Sequence, residues 1–277
     1  MKNLKIACIG TGNMGRALLR GMVQSRAVIP SRVFASDKNK ERLAELKKEL
    51  KIHTTKDNRL AVTKADIVVL AVKPQILHKV LQELHGKVQS HTLFVSIAAG
   101  FPTGLIENIL GAKTRVVRAM PNIAAMVGEA ATAICAGKWA KKSDLKLVTK
   151  LFETCGTCTT VDEGLMDAVT GLSGTGPMYV FIIIEALSDA GVKVGLSREQ
   201  ATSLAIQTVQ GAARMVKETG KHPIFLKDLV TSPGGTAINA LYSMEKTGLR
   251  ADLMDAVEAA TNRSKELGLP MEFMDKD

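Results

Sequence analysis

The chain has 277 residues and is 46% hydrophobic, which is more than one average domain and enough apolar material to exclude a wholly disordered polypeptide. Aromatic residues make up 4%, and the net charge of +10 comes from 37 basic and 27 acidic side chains that intermingle, as at Lys38, Lys40, Glu41, Arg42 and Glu45. A base-stacking platform and a basic stripe are therefore both excluded, and no nucleic-acid partner is expected. The positive balance suits anionic small molecules. Of the four cysteines, Cys8 and Cys135 sit in apolar runs, whereas Cys155 and Cys158 form a C-x-x-C. No second pair and no histidine at zinc-ligand spacing accompany it, so no metal site is expected. The chain passes from Met1-Lys2 into a strand-like run without a secretory signal, and its longest apolar run, 178–184, stops at Glu185. That is far short of the roughly 20 residues of a membrane span, and the expectation is a cytoplasmic protein with no membrane partner.

Residues 4–9 form the first strand-like run and end in Gly10-Thr11-Gly12-Asn13-Met14-Gly15, after which Leu18, Leu19, Met22 and Val23 fall on one helical face. Strand, G-x-G-x-x-G and helix in this order describe a dinucleotide-binding turn. The first glycine permits the tight turn, the second lets a pyrophosphate reach the backbone, and the third lets the helix pack on the strand. A second strand, 32–36, ends at Asp37, about 20 residues past the glycines, where an acidic group would bind a ribose 2′-hydroxyl. Asp37 thus favours NADH, whereas Ser36, Lys38, Lys40 and Arg42 would hold a 2′-phosphate and favour NADPH. Asp37 also reads as a helix N-cap. These readings stay open together.

Continuous β-branched runs place buried parallel strands at 66–72, 93–97 and 115–118. They end in Ala71, Val72, Lys73 and Pro74, in Ala98, Ala99 and Gly100, and in Met120, Pro121 and Asn122. Ligands of open parallel sheets bind at strand carboxyl ends, so these segments, the glycine turn and Asp37 should meet in one crevice. Helices of ordinary length between the strands describe a doubly wound α/β domain. An extra strand is read at 131–135, a helix at 141–152 and a short edge strand at 158–161.

From Asp162 onward only helical periodicity remains. The expected division is therefore a dinucleotide-binding domain, 1–161, and an all-helical domain, 162–277. The glycine stretch 171–177 has no lysine in the P-loop position and reads as a helix break that allows close approach of backbones. Helices are read at 179–190, 197–218 and 249–267. Before the last of these, Ser232-Pro233-Gly234-Gly235-Thr236 opens a helix with Ala237, Ile238, Leu241, Tyr242 and Met244 on one face. Uncovered N–H groups there would suit a carboxylate as well as a phosphate, and an ordinary tight turn is the other reading. The apolar helical faces exceed what a small domain can hide, so pairing with a second copy is expected. His53, His78, His85 and His91 read as surface residues, and His222, before Pro223, as a cap or brace.

Several motifs run in one order across nearly the whole chain: Ile9-Gly10-Thr11-Gly12-Asn13-Met14, Ala71-Val72-Lys73-Pro74, Ser96-Ile97-Ala98-Ala99-Gly100, Arg118-Ala119-Met120-Pro121-Asn122, the stretch 168–177, His222-Pro223 with Leu226-Lys227-Asp228, and Val230-Thr231-Ser232-Pro233-Gly234-Gly235. Together they resemble the pyrroline-5-carboxylate reductase family. The resemblance implies an α/β Rossmann-type N-terminal domain followed by an all-α dimerisation domain whose helices interlock between two subunits, with decamers as a larger assembly. It implies reduction of L-1-pyrroline-5-carboxylate, a cyclic imino acid, to L-proline with NADPH or NADH, the last step of proline biosynthesis. By position it implies cofactor contacts at residues 9–14, Asp37, Asn58, residues 71–74, Ala98 and Ala99. The residue reading adds Gly15, Ser36, Gly100 and Asn122. Ser232, Gly234, Gly235 and Thr236 match the loop that holds the substrate carboxylate.

One departure matters. Many members carry threonine after the position of Thr236, where its hydroxyl reaches the substrate nitrogen, and this chain has Ala237. Thr236 is then the candidate catalytic hydroxyl, unless the imine arrives already protonated. Three other readings remain: a reductase of another cyclic imine, a β-hydroxyacid dehydrogenase, for which Lys193 is the one available lysine after Gly176, and a non-catalytic dinucleotide-binding regulator.

Overall fold

In the first strand, β1 (Ile6–Ile9), successive side chains enter two different cores, and that alternation sets the architecture. Ile6 and Cys8 pack with α1 (Asn13–Gln24), α2 (Lys40–Leu50) and α6 (Lys142–Phe152). Ala7 and Ile9 pack with α3 (Asn58–Val62), α4 (Pro74–Leu84) and α5 (Thr103–Leu110). A sheet buried on both faces is what the unbroken apolar runs require. The structure is a computed structural model and describes residues 1–111 and 113–268.

The eight strands lie in the order β3-β2-β1-β4-β5-β6-β7-β8. Besides β1 they are β2 (Val33–Ser36), β3 (His53–Thr55), β4 (Ile67–Leu70), β5 (Leu93–Ser96), β6 (Arg115–Met120), β7 (Ala130–Ala136) and β8 (Gly156–Thr160). All neighbouring pairs are parallel except β6 with β7. β6 runs beyond its expected end at 118 because Ala119 and Met120 pair with Ile134 and Ala133 of β7. β3 and α3, too short to leave a periodic pattern, were not expected. The order reverses between β1 and β4, the switch point at which such sheets bind ligands.

The glycine stretch does not break the helix, contrary to expectation. α7 (Met166–Val169) passes into a π-helical turn (Thr170–Gly174), in which Thr175 N–H donates to the Thr170 carbonyl at 2.9 Å, and the chain continues as α8 (Gly176–Lys193). Small residues let this wider turn close. Asn122 supports it by donating its Nδ2 to the Ser173 carbonyl at 3.0 Å. The helical run Glu163–Lys193 is long and apolar enough to cross a membrane by length and composition alone, more than the 178–184 run suggested.

Residue packing separates two units: Met1–Thr175 with the described residues from Glu258 onward, and Gly176–Val257. The last strand ends at Thr160, beside the expected division, but Met166 stays packed with Met120, Ala133 and Cys135 in the first unit. Residues 269–277 of the expected helical domain lie outside the described residues. The second unit holds α8, α9 (Arg198–Thr219), α10 (Pro223–Val230), α11 (Thr236–Thr247) and the start of α12 (Leu249–Leu267). Ser197 and Gln200 form a capping box at α9, and His222 Nδ1 caps α10 by accepting from Ile224 N–H. Only Ser188, Ala201 and Ala205 of this unit are buried, so its apolar faces stand open in the single chain.

Candidate active site

The carboxyl ends of four adjacent strands are stitched together by backbone bonds. Gly10 N–H donates to Ser36 O at 2.8 Å, Ala71 N–H to Ile9 O at 2.8 Å, and Ile97 N–H to Leu70 O at 3.1 Å. The glycine turn, Asp37, residues 71–74 and residues 98–100 therefore share one edge of the sheet, as expected. β6, parallel to β5, brings Met120 and Asn122 to the same edge.

Gly10 has φ +96°, and a Cβ there would stand 2.6 Å from the Ala71 carbonyl oxygen, so glycine is obligatory. A Cβ on Gly15 would collide with the Gly10 carbonyl oxygen, which explains the third glycine. Gly12 differs, because a Cβ there would meet nothing within 4 Å among the described residues. Gly12 is the N-cap of α1, with no side-chain cap and no acidic residue in the first turn. The helix start is thus an uncovered set of N–H donors at the positive end of a helix dipole, which fits the pyrophosphate of a dinucleotide.

Asp37 does not cap α2, which Asn39 does by accepting from Arg42 N–H. Asp37 instead braces the glycine turn. Its Oδ2 accepts from Thr11 N–H at 2.7 Å and from Thr11 Oγ1 at 2.8 Å, and its Oδ1 accepts from Asn39 N–H at 2.9 Å. Burial works to raise its pKa, but these bonds and the Arg42 charge outweigh it and hold the carboxyl below its ordinary value. Ser36 Oγ donates to Asn58 Oδ1 at 2.6 Å, and Asn58 Nδ2 donates to Glu83 at 3.0 Å. Beside them stands Lys56, directly after Thr55, whose carbonyl accepts from Asp37 N–H at 3.3 Å. Desolvation, followed by the Lys40 charge, lowers the Lys56 pKa. Sequence reading missed Lys56 because it missed β3.

The remaining positions divide. Val72 packs on Gly10, and Lys73 is the N-cap of α4. Ala98 is buried, and Ala99 packs on the Met120 cluster. The Asn122 amide is engaged on both sides, by Ser173 O and by Ala124 N–H. Gly100 lies against the end of α12. In the helical unit, Gly235 is the N-cap of α11 without a side-chain cap, Gly234 has φ +68°, and Gly235 N–H closes the turn onto Ser232 O at 3.1 Å. Thr236 is the first helical residue, and the start of α11 is a second uncovered set of donors.

The cysteines are free. Burial, with the Asp37 charge, pushes Cys8 to about 12, and burial, with the Glu163 charge, pushes Cys135 to about 12. Cys158 is pushed to about 11 and Cys155 is raised, both chiefly by burial. Such thiols are poor nucleophiles.

A family model described as pyrroline-5-carboxylate reductase dimerisation matches residues 163–267, and one described as NADP oxidoreductase, coenzyme F420-dependent, matches residues 5–100. A pyrroline-5-carboxylate reductase of Methanosarcina acetivorans is 50% identical over 97% of this chain and 99% of its own length. The structure of a pyrroline-5-carboxylate reductase from Coxiella burnetii superposes with TM-score 0.90 at 38% identity, covering 97% of this chain and 100% of that one. The Plasmodium falciparum pyrroline carboxylate reductase, solved with NADP bound, superposes with TM-score 0.89 at 36% identity over 97% and 100%. Identity of this extent over nearly the full length of both chains places this one in the pyrroline-5-carboxylate reductase family of NAD(P)-dependent oxidoreductases.

Proposed function

We propose that the chain reduces L-1-pyrroline-5-carboxylate to L-proline, the last step of proline biosynthesis. The observation that carries this reading is the uncovered start of α1 behind Gly12, framed by the contacts of Gly10 and Gly15. A reduced nicotinamide cofactor, when bound, supplies the hydride. Residues 9–15 hold its pyrophosphate. Ser36, Asn58 and residues 71–74 line its path, and Ala98 and Ala99 face its nicotinamide end, with Gly100 and Asn122 behind. Asp37 acts through Thr11. With three of its acceptor positions engaged, Asp37 leaves Lys40, Lys56 and Arg42 as the positive charges near the end of β2 that suit a 2′-phosphate, and hence NADPH over NADH.

Ser232, Gly234, Gly235 and Thr236 hold the substrate carboxylate by N–H donation at the start of α11. An imine that arrives as an iminium needs no general acid, so the loop's work is orientation and charge matching. Where the nitrogen arrives neutral, the Thr236 hydroxyl is the candidate donor, since Ala237 has none. A second reading, another cyclic imino acid as substrate, rests on Ala237 alone.

In this reading cofactor binding belongs to 1–161 and substrate binding and dimerisation to 162–277. The dimerisation match at 163–267 supports association through this helical region. We read the open faces of α8 to α11 as covered by a second copy, with decamers as the larger assembly. The same covering accounts for the apolar run Glu163–Lys193 without a membrane, and the chain needs no nucleic-acid partner. A cytoplasmic location is part of the same proposal.

Loss of reduced-nicotinamide absorbance on adding L-1-pyrroline-5-carboxylate, with NADPH and NADH in parallel, tests the proposal. Proline formation with a higher kcat/KM for NADPH is expected. A folded protein that binds NADPH yet oxidises neither cofactor would move the reading to another cyclic imine.

A further inference from the structure

The loop 98–102, which follows β5, is held at its middle and at its far end by groups from elsewhere in the chain. At Gly100, φ is +69°, and a Cβ would stand 2.9 Å from the Ser264 carbonyl oxygen and 2.9 Å from Gly268 N. The last turn of α12 therefore rests its backbone directly on the loop, where no side chain other than hydrogen fits. At the other end, Thr103, the first residue of α5, donates its N–H to Glu163 Oε1 at 2.7 Å and its Oγ1–H to Glu163 Oε2 at 2.7 Å.

These two anchors are joined through one buried cation. Ser264, 2% exposed, donates Oγ–H to Asp167 Oδ1 at 2.7 Å. Asp167 accepts from Arg118 Nη2 at 3.4 Å, and Arg118 Nη1 lies 4.0 Å from Glu163. Arg118 is 3% exposed, and its Nε has no hydrogen-bond partner among the described residues. A buried guanidinium is tolerated only where carboxylates face it, so this ring holds as a whole or not at all. Nothing in the binding of pyrophosphate or ribose requires it.

We propose that the end of α12 is a positioning element for the nicotinamide end of the crevice. Ser264, Asp167, Arg118 and Glu163 are positioning residues that act through Gly100 and Thr103 on Ala98 and Ala99. The inference rests on the cofactor reading above. It adds that the chain's last described helix, more than the sheet, sets how the reacting end of the cofactor is held.

The test uses the full chain with Ser264→Ala, Asp167→Asn, the double variant and Gly100→Ala. Without any cofactor, hydrogen exchange of the amides at 98–103 should accelerate in the single variants, while that of the glycine turn at 10–15 stays at the parent rate. With NADPH, kcat should fall about tenfold, the scale of a modest misplacement. The dissociation constant of 2′-phospho-ADP-ribose, which has no nicotinamide, should stay within about twofold. The double variant should be no worse than the worse single one, because the two act through one bond. Unchanged exchange at 98–103, or equal weakening of NADPH turnover and 2′-phospho-ADP-ribose binding, overturns the inference. A parent protein that binds 2′-phospho-ADP-ribose but never oxidises NADPH overturns the catalytic reading first and this one with it. Should Gly100→Ala fail to fold, the Ser264 and Asp167 variants, which remove no packing volume from the loop, decide alone.

Discussion

Leu18, Phe94 and Phe152 in the sheet-bearing unit are fully buried, whereas Phe181, Tyr242 and Met254 in the helical unit stand 61%, 72% and 72% exposed. The same kind of side chain thus has opposite surroundings in two parts of one chain. In the first unit, helices on both sides of the sheet complete the core from within. In the second, α8 to α11 expose faces that water alone would penalise by about 25 cal/mol for each Å² left open. The first unit completes its own core, and the second leaves its apolar faces open. The two candidate anion sites follow the same division. The start of α1 is braced by Asp37 and Ala71, while the start of α11 is held by its own Ser232–Gly235 turn.

The largest expected effect attacks the braced site. Gly10→Val puts a branched side chain into the Ala71 carbonyl, and NADPH binding, followed by titration, should fall by at least roughly a hundredfold, since both φ and space forbid it. Wild-type affinity in that variant would refute the description of the turn. Next, the two hydrophobic environments can be set against each other. Leu18→Ala should cost about 2–5 kcal/mol in denaturant unfolding. Phe181→Asp should instead leave the unfolding of the single chain nearly unchanged and lower the mass seen in sedimentation to that of one chain. A mass that does not change would mean that another surface associates.

Smaller effects separate the two anion sites. Thr236→Ala, which removes the hydroxyl and keeps the backbone N–H, should raise KM for the imino acid by about threefold to tenfold, the worth of one hydrogen bond, with KM for NADPH unchanged. A change in the cofactor parameter alone would reassign the loop. Lys56→Glu should lower the NADPH-to-NADH ratio of kcat/KM by about tenfold, or 1.4 kcal/mol, without altering substrate KM. An unaltered ratio would return cofactor choice to Asp37. The smallest effect is a pH dependence. The Asp37 carboxyl is held below its ordinary value in the folded chain, so its stabilisation is complete above the ordinary carboxylate range and fades as pH falls through the folded value. Melting temperatures of the parent and of Asp37→Asn should therefore differ at neutral pH and converge on acidification, and a constant gap would contradict the brace.

Local pattern was enough to read much of this protein. The glycine turn, the unbroken runs of β4 and β5, the long helix from about 197 and the start of α11 each announce themselves within a dozen residues, because turn geometry and side-chain periodicity are short-range properties. The apolar faces of the helical region likewise point to association, in line with the dimerisation match at 163–267. What the sequence could not fix lies between residues far apart in the chain. Asp37 also braces the glycine turn, a role no local pattern announces, because Thr11, 26 positions away, gives both its N–H and its hydroxyl to one Asp37 oxygen. The 171–177 stretch looked like a break and became a π-helical turn because Asn122 and Met120 wait beside it. Gly100 looked like a cofactor contact, and its glycine is demanded by a helix that arrives from residue 264 onward. Composition and period dictate which segments form and which face each one buries. Which donor meets which acceptor is decided only when β-strand order and helix ends bring them within 3 Å, and a sequence carries no local record of that meeting.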